Sequence, residues 1–170
     1  RCSDYERIGA LEYGLGVFPN EPPLQLLKMI QIAEKSGFSH VWVADSQVIW
    51  REVYVTLGAA AVQTERVVLG TSVTQPITRD LTVTASAIAT LSELTGGRVV
   101  LGIGAGDSAV ETIGKRPVKL RDLERSIADL RGLLSGDQVA YEDAEVHMDW
   151  IEVPRPPIFI AGSGPRILRL

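Results

Sequence analysis

Residues 97–107, Gly-Arg-Val-Val-Leu-Gly-Ile-Gly-Ala-Gly-Asp, form an apolar run that is continuous rather than alternating and ends in small residues and an acid. Such glycine-punctuated, β-branched runs read as strands buried on both faces, which is the habit of a parallel sheet. Gly14–Phe18, Val41–Ala44, Val67–Ser72 and Ile158–Ala161 have the same character. Helical patterns separate them. One opens at Pro22-Pro23, carries Leu26, Leu27, Ile30 and Ala33 on one side, and stops at Ser36-Gly37 with a left-handed cap. A second is expected from about Arg51 to Gln63, and a third from about Asp80 to Leu94, halted by Gly96-Gly97. In the fourth, Leu120, Leu123, Ile127, Leu130 and Leu134 recur at three and four residues before Gly136.

The strands start at 14, 41, 67, 99 and 158, leaving gaps of 27, 26, 32 and 59 residues. The first three gaps fit single strand–helix units. The last leaves room for Asp137–Val153, where the Val139/Tyr141 and Val146/Met148 alternation predicts a small inserted hairpin. This order implies a parallel sheet with right-handed crossovers. A doubly wound sheet and a (β/α)8 barrel both satisfy it. A full barrel needs roughly 200–250 residues, so here the chain would supply its first five strands.

Composition narrows the function classes. Of 170 residues, 45% are hydrophobic and 22% charged, enough for a packed core. Mean hydropathy is +0.12, which argues against wholesale disorder. No apolar stretch approaches the roughly 18–20 residues a bilayer requires. A net charge of −4 and a pI near 5.2 argue against nucleic acid or an anionic membrane as partner. The single cysteine, Cys2, makes no internal disulfide and, with two scattered histidines, no zinc site, so a reducing cytoplasm is the expected setting and no metal is expected. The chain begins at Arg1, and Pro165–Leu170 reads as a helix interrupted in its first turns. Residues 1–170 are therefore expected to be the N-terminal part of one longer domain.

In both parallel architectures ligands bind beyond the carboxyl ends of the strands. Asp45-Ser46-Gln47, Thr71–Pro76, Gly104–Ser108 and Gly162–Pro165 fall there, and four such endings point to one shared cleft. Each has a bland alternative. Asp45 and Ser46 read equally as helix caps or cofactor contacts. Gly102-Ile-Gly-Ala-Gly106 lacks the third glycine of a dinucleotide fingerprint, because position 107 is aspartate, but it permits close approach of a flat ring or a phosphate. Asp107 is either part of a cap over the capping box Ser108-Ala-Val-Glu111 or a carboxylate placed for proton transfer. Gly162-Ser-Gly-Pro165 is either a tight turn or an anion site at a helix start. Trp50 is read as packing or a cleft wall. His40 is read as structural. His147 is read as surface, and Arg79 and Lys115-Arg116 either as solvated charges or as contacts to an anionic cofactor.

Together, Val41–Ser46, Leu69–Pro76, Gly97–Asp107 and Ile160–Pro165 resemble the luciferase-like oxidoreductase superfamily, most closely its methylenetetrahydromethanopterin reductase-like, deazaflavin-dependent branch. The resemblance covers about residues 13–170. It implies a (β/α)8 TIM barrel, truncated after about strand five, with coenzyme F-420 (a deazaflavin), or FMN, across the strand tips. It implies hydride transfer with a small organic substrate. By position it assigns Asp45 to the deazaflavin head, Ser46 beside it, Ser72, Val73, Thr74 and Gln75 to the ring's border, and Gly104, Ala105 and Gly106 to its backbone lining. Gly162, Ser163 and Gly164 match the phosphate-binding turn, and Ser72–Val73 matches a non-prolyl cis peptide. Asp107 and Asp45 become the candidate catalytic acids. The resemblance also implies a homodimer as the full-length protein.

Two departures stand against glucose 6-phosphate as substrate. The sugar-phosphate dehydrogenases of the superfamily carry histidine where this chain has Ser46, and glutamate where it has Asp107. The competing functional readings are an FMN-dependent luciferase-like monooxygenase and a non-catalytic, flavin-binding half-barrel.

Overall fold

The computed structural model describes residues 12–169, so Arg1, Cys2 and Leu170 lie outside the described residues. Five parallel strands form one sheet: β1 (Gly14–Val17), β2 (His40–Val43), β3 (Val68–Thr71), β4 (Val99–Ile103) and, after a hairpin, β7 (Ile158–Ile160). The hairpin pairs β5 (Val139–Tyr141) with β6 (Ala144–Val146), Val139 opposite Val146. It falls inside the expected 137–153 insertion.

The main sheet runs in the order β1-β2-β3-β4-β7, so each crossover steps the same way. Right-handed crossovers that never reverse place every helix on the same face. The helices α1 (Pro23–Lys35), α2 (Val53–Ala61), α3 (Leu81–Thr95) and α5 (Leu120–Leu134) accordingly pack side by side, α1 on α2, α2 on α3 and α3 on α5. A doubly wound sheet would reverse direction and cover both faces. This winding is that of a barrel.

The two faces of the sheet differ in composition. In register, Val41, Val43, Leu69, Leu101 and Ile103 share the helix side, and all are fully buried. They meet Leu26 and Ile30 of α1, Leu57 of α2, Ile88 of α3, and Leu123 and Leu130 of α5. The opposite face carries Gly14, Gly16, Trp42, Gly70, Gly102 and Phe159. There the Trp42 indole lies across its neighbours, and a Cβ on Gly14 would come within 2.7 Å of its Nε1. Only β4 is buried along its whole length, whereas β1 and β7 at the sheet edges are partly exposed. The expectation of strands buried on both faces therefore fails at the edges, where no further strand covers them.

Helix ends follow local chemistry. Gly37 (φ 89°) and Gly96 (φ 64°) take the left-handed conformation that stops α1 and α3. Asp80 caps α3 by accepting the Thr82 N–H at 2.8 Å. Near the end of α1, Glu34 Oε1 accepts the backbone N–H groups of Glu65, Arg66 and Val67 at 2.9, 2.7 and 2.9 Å. That carboxylate fastens the first helix to the turn that launches β3. Partial burial alone would raise the Glu34 pKa, but the three N–H bonds outweigh it and hold the carboxyl below its ordinary value.

A depressed carboxyl stabilises the fold above the unfolded-state pKa, and that stabilisation is lost as pH falls through the folded-state value. Glu34→Gln is expected to cost about 1 kcal/mol at neutral pH, allowing for solvent screening. The deficit should shrink as pH drops below about 4. Urea titrations at several pH values test this, and a deficit independent of pH would refute the assignment.

Candidate functional site

The strand tips converge on one cavity of about 580 Å³. It is lined by Asp45 after β2, Ser72, Val73, Thr74 and Gln75 after β3, and Gly104, Ala105, Gly106 and Asp107 after β4. Gly162, Ser163 and Gly164 after β7 complete this set. Of the residues in those four strand endings, Ser46, Gln47, Thr71, Pro76 and Pro165 stay out of the lining.

The β3 contribution depends on a change of register. Gly70 faces Val100, but Thr74 faces Ile103, so four steps along one strand match three along the other, which is a bulge. The Ser72–Val73 peptide inside it is cis, as the resemblance implied. Thr71 Oγ1 stands in for the missing ladder, accepting from Gly102 N (2.9 Å) and donating to Gly102 O (2.7 Å). The ladder resumes with Thr74 N to Gly102 O and Gly104 N to Thr74 O, both 2.9 Å.

Beyond the bulge, buried Thr74 donates its hydroxyl to Asp45 Oδ2 at 2.7 Å. Arg79 Nη1 reaches the same oxygen at 3.3 Å, while its Nη2 donates to Glu52 Oε1. The guanidinium sits 4.5 Å from the centre of the Tyr54 ring, in cation–π range. Burial pushes the Tyr54 phenol up to about 12. Its hydroxyl has no hydrogen-bond partner among the described residues. Asp45 itself is only 6% exposed, a buried carboxylate compensated by one cation and one hydroxyl.

The capping alternatives do not hold. The N-cap of α2 is Glu52, whose Oε2 accepts Val55 N at 2.7 Å, so neither Asp45 nor Ser46 caps that helix. Ser108–Glu111 forms a single turn, α4, yet neither partner of the capping box makes its bond, and Asp107 caps nothing through its side chain. Ser108 Oγ pairs instead with Ser46 Oγ at 3.1 Å, and Gln47 Nε2 donates to Ala109 O at 2.6 Å. These two bonds fasten the β2 and β4 loops together. Asp107 is left exposed at the rim.

Gln75 borders the cavity, but its amide is engaged at home: Oε1 accepts Ile77 N (2.6 Å) and Thr78 N (3.1 Å), and Nε2 donates to Thr78 Oγ1. After Gly162–Gly164 the described residues make the 3-10 turn Ile167–Arg169. Arg79, read as solvated, is bound into the Asp45 network. His40 opens β2 and stacks on Trp42 at the far end from the cavity, as its structural reading implied.

Phe18, Ala44, Trp50, Ser108, Ala109, Ala161 and Ile167 also line the cavity. Phe18 was missed although it ends the first strand at the same rim, the position rule that found the others. Its ring meets Trp50, centroids 5.1 Å apart, so Trp50 does wall the cleft. Trp50 returns there because Val48 turns at φ 76°. Among the described residues no group of His, Cys, Asp and Glu could hold a metal ion.

Comparison with known proteins decides the family. The profile of the Luciferase-like monooxygenase family matches residues 9–170. The chain belongs to that family. It is 34% identical over 168 residues to the 5,10-methylenetetrahydromethanopterin reductase of Methanolobus tindarius, covering 94% of this chain and 51% of the relative. It is 37% identical over 171 residues to the F-420-dependent glucose-6-phosphate dehydrogenase of Beutenbergia cavernae, covering 87% and 49%. The solved coenzyme F-420-dependent tetrahydromethanopterin reductase from Methanopyrus kandleri superposes with a TM-score of 0.77 at 26% identity, covering 94% of this chain and 52% of that one. The chain spans about half the length of the curated relatives it matches. Its fold is that of the family's α/β barrel.

Val48 is β-branched, 77% exposed and left-handed, a conformation costing about 1–2 kcal/mol that asparagine tolerates far better. Val48→Asn is therefore expected to raise the unfolding free energy by about 1 kcal/mol, since no packing is lost. Equilibrium urea denaturation checks it, and a neutral or destabilising result would count against a strained turn.

Proposed function

We propose that residues 1–170 are the N-terminal part of a single luciferase-like barrel domain whose full-length protein is an oxidoreductase. In this reading it exchanges a hydride between coenzyme F-420 and a small organic substrate. The observation that carries it is the convergence, in one cavity, of the glycine-rich backbone after β4 and β7 and a buried carboxylate. A Cβ on Gly104 would stand 3.0 Å from Val73 Cγ2, so the chain after β4 passes the β3 bulge closely at a glycine. Asp45 Oδ2 is engaged by Thr74 and Arg79, and its other oxygen is free to accept from a bound donor. Those features suit a deazaflavin, and the named relatives of this chain use one.

The cofactor supplies the hydride; the chain supplies its placement. Asp45 would accept a hydrogen bond from it, and Ser72, Val73, Thr74, Gln75, Gly104, Ala105 and Gly106 would hold it at the strand tips. Gly162, Ser163 and Gly164 offer exposed backbone to the phosphate. Asp107, exposed at the rim, is the group that handles the substrate's proton. Ser46 acts at one remove by tying its loop to Ser108. A reducing cytoplasmic setting and a homodimeric full-length protein belong to the same reading, the first supported by a single cysteine in 170 residues. Among the described residues no helix is long and apolar enough to cross a membrane.

Fluorescence titration of the intact protein should give micromolar affinity for F-420 and at least about tenfold weaker binding of FMN, a difference of about 1.4 kcal/mol. Asp107→Asn should lower kcat by about 100-fold while leaving F-420 affinity unchanged, as loss of a general acid does. A preference for FMN would move the protein to the monooxygenase reading. Binding of neither flavin would overturn the cofactor assignment.

A further inference from the structure

Arg79 is the one feature of the site that neither the resemblance nor the reading of its lining absorbs. It does not line the cavity, yet it ties the loop after β3 to the loop after β2 and to α2. From the start of α3 it reaches Asp45 after β2 and Glu52 at the cap of α2, and it lies over Tyr54 on that helix. Its side chain is only 19% exposed, and that of Asp45 only 3%. A surface pair of this kind contributes little, but a buried carboxylate depends on its partners.

The geometry also selects between the two carboxylate oxygens. Thr74 Oγ1 and Arg79 Nη1 both donate to Oδ2. No described residue bonds to Oδ1. Arg79 is itself held by Glu52, whose second oxygen caps α2, so the guanidinium cannot follow the carboxylate if it rotates. We propose that Arg79 is a positioning residue, which locks Asp45 through Oδ2 so that Oδ1 is presented to the cavity as a fixed hydrogen-bond acceptor for the bound ring. This rests on the reading that the cavity takes a deazaflavin. The lock itself is a property of the protein alone.

Two measurements separate those levels, both on the intact protein. The first is F-420 affinity, with kcat and KM, in Arg79→Gln, Arg79→Lys, Asp45→Asn and the double variant Arg79→Gln/Asp45→Asn. Arg79→Gln should weaken binding about tenfold or more, the usual effect of losing a charge-assisted contact that orients an acceptor. Arg79→Lys should recover part of that loss. The double variant should bind no more than about twofold worse than Asp45→Asn, because Arg79 would have nothing left to position. If Arg79→Gln weakens the Asp45→Asn protein as much as it weakens the parent, Arg79 does not act through Asp45 and the proposal fails.

The second measurement needs no cofactor. A crystal structure of ligand-free Arg79→Gln should show the Asp45 carboxylate rotated or in two conformers. An Asp45 unmoved from its parent position would overturn the lock, whether or not F-420 binds. Absence of F-420 binding to the parent protein would refute the cofactor reading instead, and the ligand-free structure would then decide the lock by itself.

Discussion

A sheet whose crossovers all step in one direction must keep its helices on one face and bring all its strand ends to one rim. The rest of this molecule depends on that constraint. Because β1, β2, β3, β4 and β7 are neighbours in chain order, the loops that follow them are neighbours too. Ser46 after β2 and Ser108 after β4, 62 positions apart, even meet past the tip of the strand that lies between them. The other face must stay narrow, and it does so through Gly14, Gly16, Gly70 and Gly102. At Gly70 a Cβ would collide with the Trp42 ring at 2.5 Å, so one large indole occupies space that its neighbours have vacated.

Bringing strand tips together creates an electrostatic difficulty at Asp45. A carboxylate that is 6% exposed loses most of its hydration, so it depends on hydrogen-bonded partners. The compensation comes from the single loop that follows β3: Thr74 lies beyond its bulge, and Arg79 lies five residues further on. The bulge is thus more than a kink. Without the extra residue, side chains beyond it would alternate to opposite faces, and the hydroxyl of Thr74 would turn away from Asp45. Glu52 ties the arrangement to the start of α2, so one helix cap and one buried charge are stabilised by a shared guanidinium.

The strands and the long helices were legible because each writes its own periodicity over four or more residues. The apolar stripe of α5 and the glycine stops of α1 and α3 are local signals, and the structure places them where the sequence did. The lining of the cavity was legible for a different reason: in a parallel fold, position at a strand tip already implies position at the rim. What escaped was whatever depends on the partner rather than on the position. Ser108-Ala-Val-Glu111 matches a capping box in sequence, but α4 is a single turn and its serine is drawn to Ser46. Arg79 looked like a solvated cation because Asp45, Glu52 and Tyr54 lie on other elements, and no local pattern announces them. Even the caps followed this rule, since α2 begins at Glu52 once the residues before it are engaged elsewhere.

Position 46 shows how one substitution changes the task of a site. Where the resemblance implies histidine in the sugar-phosphate dehydrogenases, this chain has a serine that is 1% exposed and turned toward Ser108. A histidine there would exceed the space a serine fills and would break the Ser46–Ser108 contact, or it would point into the cavity as a titratable group. Serine does neither. It closes the seam between two loops, and no group at position 46 exchanges protons near neutral pH. Of the two acids among the described cavity-lining residues, Asp45 is bound to Arg79, so Asp107 alone is an exposed carboxylate without an ion-pair partner among the described residues. With serine at position 46, the one exposed carboxylate of the described lining is Asp107, and the serine pair ties the loop that carries it to the loop after β2.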